Sequence, residues 1–126
     1  QVGIGVCIMI KQYILQGSVP SKKNSRINTY NGRSFPSKAY TEWHANAGAQ
    51  LLEQGIVNFT KVELDIQFEF RTNRRTDLDN KLSSILDLLV DMGIIEDDRW
   101  QIVGDMRIHA ENGNEDMTTI TIRGVE

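Results

Sequence analysis

The hydrophobic pattern predicts an α+β domain of two layers, with two helices packed on a mixed sheet in the order β-α-β-α-β-β. Three stretches carry that prediction. Val62, Leu64, Ile66, Phe68 and Phe70 alternate with Glu63, Asp65, Gln67 and Glu69, the period of a strand with one buried face. Tyr40, Trp43, Ala47 and Leu51 recur at helical spacing, and so do Leu82, Ile85, Leu86 and Leu89. With 126 residues, the chain is long enough for one core and too short for two.

In chain order, Ile10, Tyr13, Ile14 and Leu15 mark a first strand over 10–16. The Gly, Pro, Ser and Asn residues of 17–25 then mark a loop. Asn31-Gly32 is a hairpin-type turn signal within 26–36. Ser37 suits a helix N-cap and Gly55 a stop, which bounds the first helix at 38–54. After the strand at 62–70, a second helix is expected from Thr76 to Met92, ended by Gly93. Strands at 101–110 and 117–123 follow, joined through Glu111-Asn-Gly-Asn114, which reads as another hairpin. Residues 1–8 are apolar but too short to span a bilayer and lack the features of a signal peptide. They are expected to be an extension, with a single domain over 9–126.

The single cysteine, Cys7, cannot form an internal disulfide, which makes a reducing cytoplasm the default compartment. A net charge of −3 speaks weakly against a polyanionic partner, but the average hides an asymmetry. Lys11, Lys22, Lys23, Arg26, Arg33 and Lys38 fall in a stretch with no acidic residue, and Arg71, Arg74 and Arg75 form a second basic cluster. Acidic residues crowd into 77–116. Exposed charges act over roughly 8–10 Å at physiological salt, so local clusters decide where a polyanion docks.

The densest chemical signal is Arg74-Arg-Thr-Asp77-Leu-Asp79-Asn-Lys81, at the junction of a strand and a helix. Two carboxylates at that spacing on a turning backbone suit a hard cation with oxygen ligands. They equally suit helix capping, since Thr76 and Asp79 resemble a capping box and acids in a first turn favour the helix dipole. Glu96-Asp97-Asp98 is a second acidic group, and it can join the first only if the chain returns along the helix or places Asp98 on a strand bordering Asp77. His44 and His109 are far apart in sequence without ligand-spaced partners, so the sequence points away from zinc. Trp43 falls on the apolar stripe of its helix, whereas Trp100 suits a surface contact able to stack on bases.

Asp77-Leu-Asp-Asn80, an apolar helix, Gly93, Asp97-Asp98 and a Gln-Ile-Val strand together resemble the core of the RusA-type Holliday-junction resolvases. Pro20-Ser-Lys-Lys-Asn-Ser25 and Pro36-Ser-Lys-Ala-Tyr-Thr-Glu-Trp43 resemble phage and prophage members. The resemblance implies a structure-specific endodeoxyribonuclease that nicks four-way DNA junctions in pairs, as a homodimer, with Mg²⁺ (Mn²⁺ as a substitute). It assigns Asp77, Asp79 and Asp98 as metal-binding catalytic carboxylates, with Asp97 as the alternative in a shifted register. The family's lysine falls at Ser83 here, and Lys81 is the nearest stand-in. Lys22, Lys23, Asn24, Arg26, Arg33, Lys38, Arg71, Arg74 and Arg75 become the expected DNA contacts. The competing expectations are a non-catalytic branched-DNA-binding module and another metal-dependent nucleic-acid phosphohydrolase.

Overall fold

A computed structural model describes residues 9–21, 26–28 and 34–125. The expectations for residues 1–8 and for the Asn31-Gly32 turn lie outside the described residues. The elements are β1 (Ile10–Gln16), β2 (Arg26–Asn28), β3 (Ser34–Pro36), α1 (Lys38–Gln54), β4 (Val62–Phe70), α2 (Leu78–Asp91), β5 (Val103–Asn112) and β6 (Met117–Gly124). Apart from the short antiparallel pair β2-β3, which flanks the expected turn, this is the expected β-α-β-α-β-β order.

β1, β6, β4 and β5 lie side by side in that order, antiparallel except for the parallel β4-β5 pair. Here the expected hairpin fails, because β5 and β6 are separated by β4. The link between them passes the end of β4 instead of closing a turn. Gly113 N–H donates to the Phe70 carbonyl at 3.0 Å, and Arg71 N–H donates to Asp116 Oδ1 at 2.9 Å. Local turn chemistry is indifferent to which strand lies between its ends, so the signal was real and the pairing was not.

Alternation sets the layers. Tyr13 and Leu15, Val62 to Phe68, and Ile120 and Ile122 form one buried face, covered by Ala47 and Leu51 of α1 and by Ile85, Leu88 and Leu89 of α2. Each fully buried aliphatic side chain contributes about 1.5–3 kcal/mol. The deepest row of α2 is rotated from expectation, with Leu82 and Leu86 half-buried and Ser84 and Leu88 fully buried. α2 ends as the sequence indicates: Gly93 takes φ 74°, its N–H donates to Val90 O, and Ile94 N–H donates to Leu89 O. That pair of bonds is the Schellman arrangement, which needs a left-handed residue and so favours glycine.

The two sheet edges differ. β1 is shielded by glutamines of α1: Ile14 N–H donates to Gln54 Oε1 (2.8 Å), Gln54 Nε2 donates to Ile14 O (2.7 Å), and Gln16 N–H donates to Gln50 Oε1 (2.8 Å). Among the described residues, β5 has β4 on one side and no strand on the other. Its Met106 and Ile108, opposite buried Leu64 and Ile66, remain 37% exposed because the helix layer stops short of them.

Candidate active site

The chemistry gathers where β4 ends and α2 begins. Asp77 is the N-cap of α2 yet makes no side-chain cap hydrogen bond, and Asp79 follows in the first turn. The capping box expected at Thr76 and Asp79 does not form, since the helix starts a residue later than it requires. Both carboxylates are exposed. Ser21, Arg75, Thr76, Asp77 and Asn80 line a cleft of about 340 Å³. A neighbouring cavity of about 240 Å³ shares Arg75 and Thr76 and adds Arg74, Lys81 and Asp116.

Lys81 is half-buried, its ammonium donating to the Val19 carbonyl and standing 5.8 Å from the centre of the Phe70 ring. Burial lowers its pKa from the usual lysine value, and the negative charge of Asp116 partly offsets this. One turn on, Ser84 Oγ donates to Pro20 O at 2.6 Å. Lys81 and Ser84 thus fasten residues 19–20 to the helix that carries Asp79. Ser83, at the family's lysine position, is exposed and bonds back to Asp79 O at 3.1 Å, the ordinary use of a serine in a helix. Asp116 was missed by sequence reasoning. It is one acid in a polar turn, and only the route of the β5-β6 link past β4 brings it here.

Asp98 lies elsewhere. Ile102 O accepts from Val62 N–H at 2.8 Å, so the segment after α2 meets the start of β4 while Asp77 sits beyond its end. α2, with its 14 residues, separates the two by about 20 Å at 1.5 Å per residue. The chain therefore sets Asp77 and Asp79 at the start of α2 and leaves Asp98 beyond its other end. Between the two register choices, Asp97 is locally engaged: Oδ1 accepts from Asp98 N–H at 2.9 Å and Oδ2 faces Arg99 Nη1 at 3.1 Å. Those contacts, the backbone bond first, hold its pKa below the usual carboxylate value. Asp98 itself is exposed.

Of the expected DNA contacts, Arg71, Arg74 and Arg75 are exposed beside the clefts. Lys38 is exposed on α1 and pairs with Glu42 at 3.8 Å. Arg26 opens β2, and Lys22, Lys23, Asn24 and Arg33 lie outside the described residues. Trp43 is half-buried against the core and Trp100 is 77% exposed, the core and surface positions read from the sequence.

A second cluster gives one of the two histidines acidic neighbours that the sequence spacing did not show. His44 of α1 meets Asp87 and Asp91 of α2, with one ligand atom from each lying within 4.8 Å of the others. The i, i+4 spacing of the two aspartates was the available signal; the packing of α1 on α2 supplied the histidine.

A family model described as endodeoxyribonuclease RusA matches residues 16–123 of this chain. The crossover junction endodeoxyribonuclease RusA of Aquifex aeolicus is 32% identical over 91 residues, which is 71% of this chain and 71% of the relative.

Proposed function

The chain belongs to the RusA family of endodeoxyribonucleases, hydrolases acting on DNA, and from this we propose that it resolves four-way junctions by Mg²⁺-dependent paired nicking as a homodimer. The observation that carries the catalytic assignment is Asp77. It occupies an N-cap, where a carboxylate ordinarily bonds a backbone N–H, and makes no such bond. With Asp79 in the first turn, the exposed oxygen donors fit a hard divalent cation. When bound, Mg²⁺ lowers the pKa of a coordinated water and stabilises charge on the attacked phosphate.

The chain's own groups do the rest. Arg74, Arg75 and Lys81 place positive charge beside the carboxylates, where a DNA phosphate is held and its developing charge stabilised. Such recognition reads backbone and shape rather than base edges, and is steeply salt-dependent.

The homodimer gives Asp98 its role. Antiparallel pairing of two β5 edges across a two-fold axis turns one subunit end for end relative to the other. The start of the partner's β5, with Asp98 of the partner subunit just before it, then lies at the end of β4 where Asp77 and Asp79 stand. The bare β5 edge and its exposed Met106 and Ile108 support this pairing, as does the shielding of β1.

The test uses a synthetic four-way junction and a linear duplex, with Mg²⁺ or with EDTA. Paired nicks confined to the junction, abolished by EDTA and by Asp79→Asn while junction binding persists, are the expected result. Binding without cleavage under any divalent metal would overturn the catalytic reading in favour of a DNA-binding module. Cleavage of single strands or duplex in preference to the junction would point to another phosphohydrolase. Mixing Asp79→Asn with Asp98→Asn subunits adds the geometric test. A shared site regains single-strand nicking in the heterodimer, whereas sites contained within one subunit stay dead.

A further inference from the structure

We propose that Trp100 stacks on an unpaired base of the branched DNA, a contact that rests on the junction reading above and lies outside the carboxylates at Asp77 and Asp79. The indole is 77% exposed, the most exposed of the large hydrophobic side chains among the described residues. Its backbone holds it there. The N–H groups of Ile102 and Val103 both donate to the Arg99 carbonyl, at 2.9 and 3.0 Å, and the side chains of Ile102 and Val103 are buried in the core. Ahead of the ring, Asp97 Oδ1 accepts from Asp98 N–H at 2.9 Å and Oδ2 faces Arg99 Nη1 at 3.1 Å. The turn is thus fastened on both sides of Trp100, and a group already held in place loses little freedom when it binds.

A cation reaches the same turn. A Cβ at Gly104 would lie 3.9 Å from Lys61 Cε and 4.0 Å from the Trp100 carbonyl oxygen, so the Lys61 stem runs beside the turn across a residue that has no side chain. Lys61 is exposed. An exposed ring for a base, with a cation nearby for the phosphate, is the combination by which proteins hold unpaired strands. Two of the turn's acids are offset locally, since Glu96 and Asp97 pair with Arg99 at 4.0 and 3.1 Å, which lessens the repulsion of a phosphate. In a linear duplex the bases stay paired and stacked, and extruding one costs free energy that is least where pairing is already broken. The indole therefore favours a branch point over a duplex, and does so without regard to sequence, because every base has a ring face. Trp100 follows Asp98 by two residues, so on the role proposed for that carboxylate the stacked base lies beside the strand that is cut.

The full chain carrying Asp79→Asn, which holds the DNA uncut, is the parent for the test, with a fluorescein-labelled four-way junction as the probe. Trp100→Ala should weaken junction binding by roughly fivefold or more, and Trp100→Phe by less than about twofold, because the phenyl ring still stacks. Abasic sites at the branch point should remove the difference between Trp100→Ala and the parent, which separates stacking on a base from contact with the backbone. Tryptophan emission should fall when the parent binds an unlabelled junction, and far less in Trp100→Phe, where Trp43 alone emits. Melting of Trp100→Ala should stay within roughly 3 °C of the parent, as for a surface change. The proposal is overturned if Trp100→Ala binds within about twofold of the parent, if its loss persists on the abasic junction, or if emission is unchanged on binding. It is also overturned if Trp100→Ala lowers the mass in sedimentation, which would make the indole a contact between subunits. Each of those results, with the parent still binding the junction, leaves the resolvase reading standing; a parent that binds no junction removes both.

Discussion

Ser84 has no accessible surface, and its hydroxyl holds the Pro20 carbonyl at 2.6 Å. Ser84→Ala would leave that carbonyl without its partner, at a cost of about 1–3 kcal/mol in urea unfolding. Lys81 works beside it, and its pKa has a sign that can be followed. Burial disfavours the ammonium, so the folded chain holds that proton less tightly than the unfolded chain does. Below the folded pKa the buried charge costs stability. That cost is relieved as pH rises through the folded value toward 10.5, so the Lys81 contribution to stability increases with pH in that window. Its contribution to DNA binding runs the other way, because the cation is lost at lower pH than from an exposed lysine. Junction affinity measured from neutral pH upward should therefore begin to fall earlier in the wild type than in Lys81→Met.

The two ends of α2 are built for different purposes. The C-terminal end is a stop signal that the fold uses as written, with Gly93 at φ 74°. Gly93→Ala should cost about 1 kcal/mol in denaturant unfolding. That cost is backbone strain alone, since an added Cβ would meet only the Asn58 amide at 3.7 Å. The N-terminal end has an aspartate at the cap that caps nothing. Local stability is given up at the end facing the arginines and kept at the end facing the core, as expected where a helix terminus carries function.

At the scale of the molecule, the sheet has one shielded edge and, among the described residues, one open edge. Ile108→Lys on β5 places charge on a side chain already 37% exposed, so the monomer should keep its stability to within about 0.5 kcal/mol. The same change should lower the mass in sedimentation to that of a monomer and abolish junction cleavage, while Asp77 and Asp79 stay in place. A dimeric mass with full cleavage would remove β5 as the interface. The acidic net charge of −3 is no obstacle to DNA binding, because the arginines at 71, 74 and 75 share one end of the sheet.

Much of this was legible along the chain. Alternation set β4, helical spacing and the Ser37 and Gly55 punctuation set α1, and the Asp77-Leu-Asp-Asn80 motif marked the candidate site and the family, because each signal lies within one element. What tertiary structure alone decided is how distant segments meet. The Glu111–Asn114 turn reads as a hairpin whether or not a strand intervenes, so only the sheet order shows β4 between β5 and β6 and brings Asp116 to the site. The sequence spacing of Asp79 and Asp98 is the same whether the chain returns or runs on, and the direction of α2 puts them at opposite ends. His44 reaches Asp87 and Asp91 only through helix packing. Period and punctuation are local properties of a chain; the juxtaposition of charges on different elements belongs to the sheet and the layer that covers it.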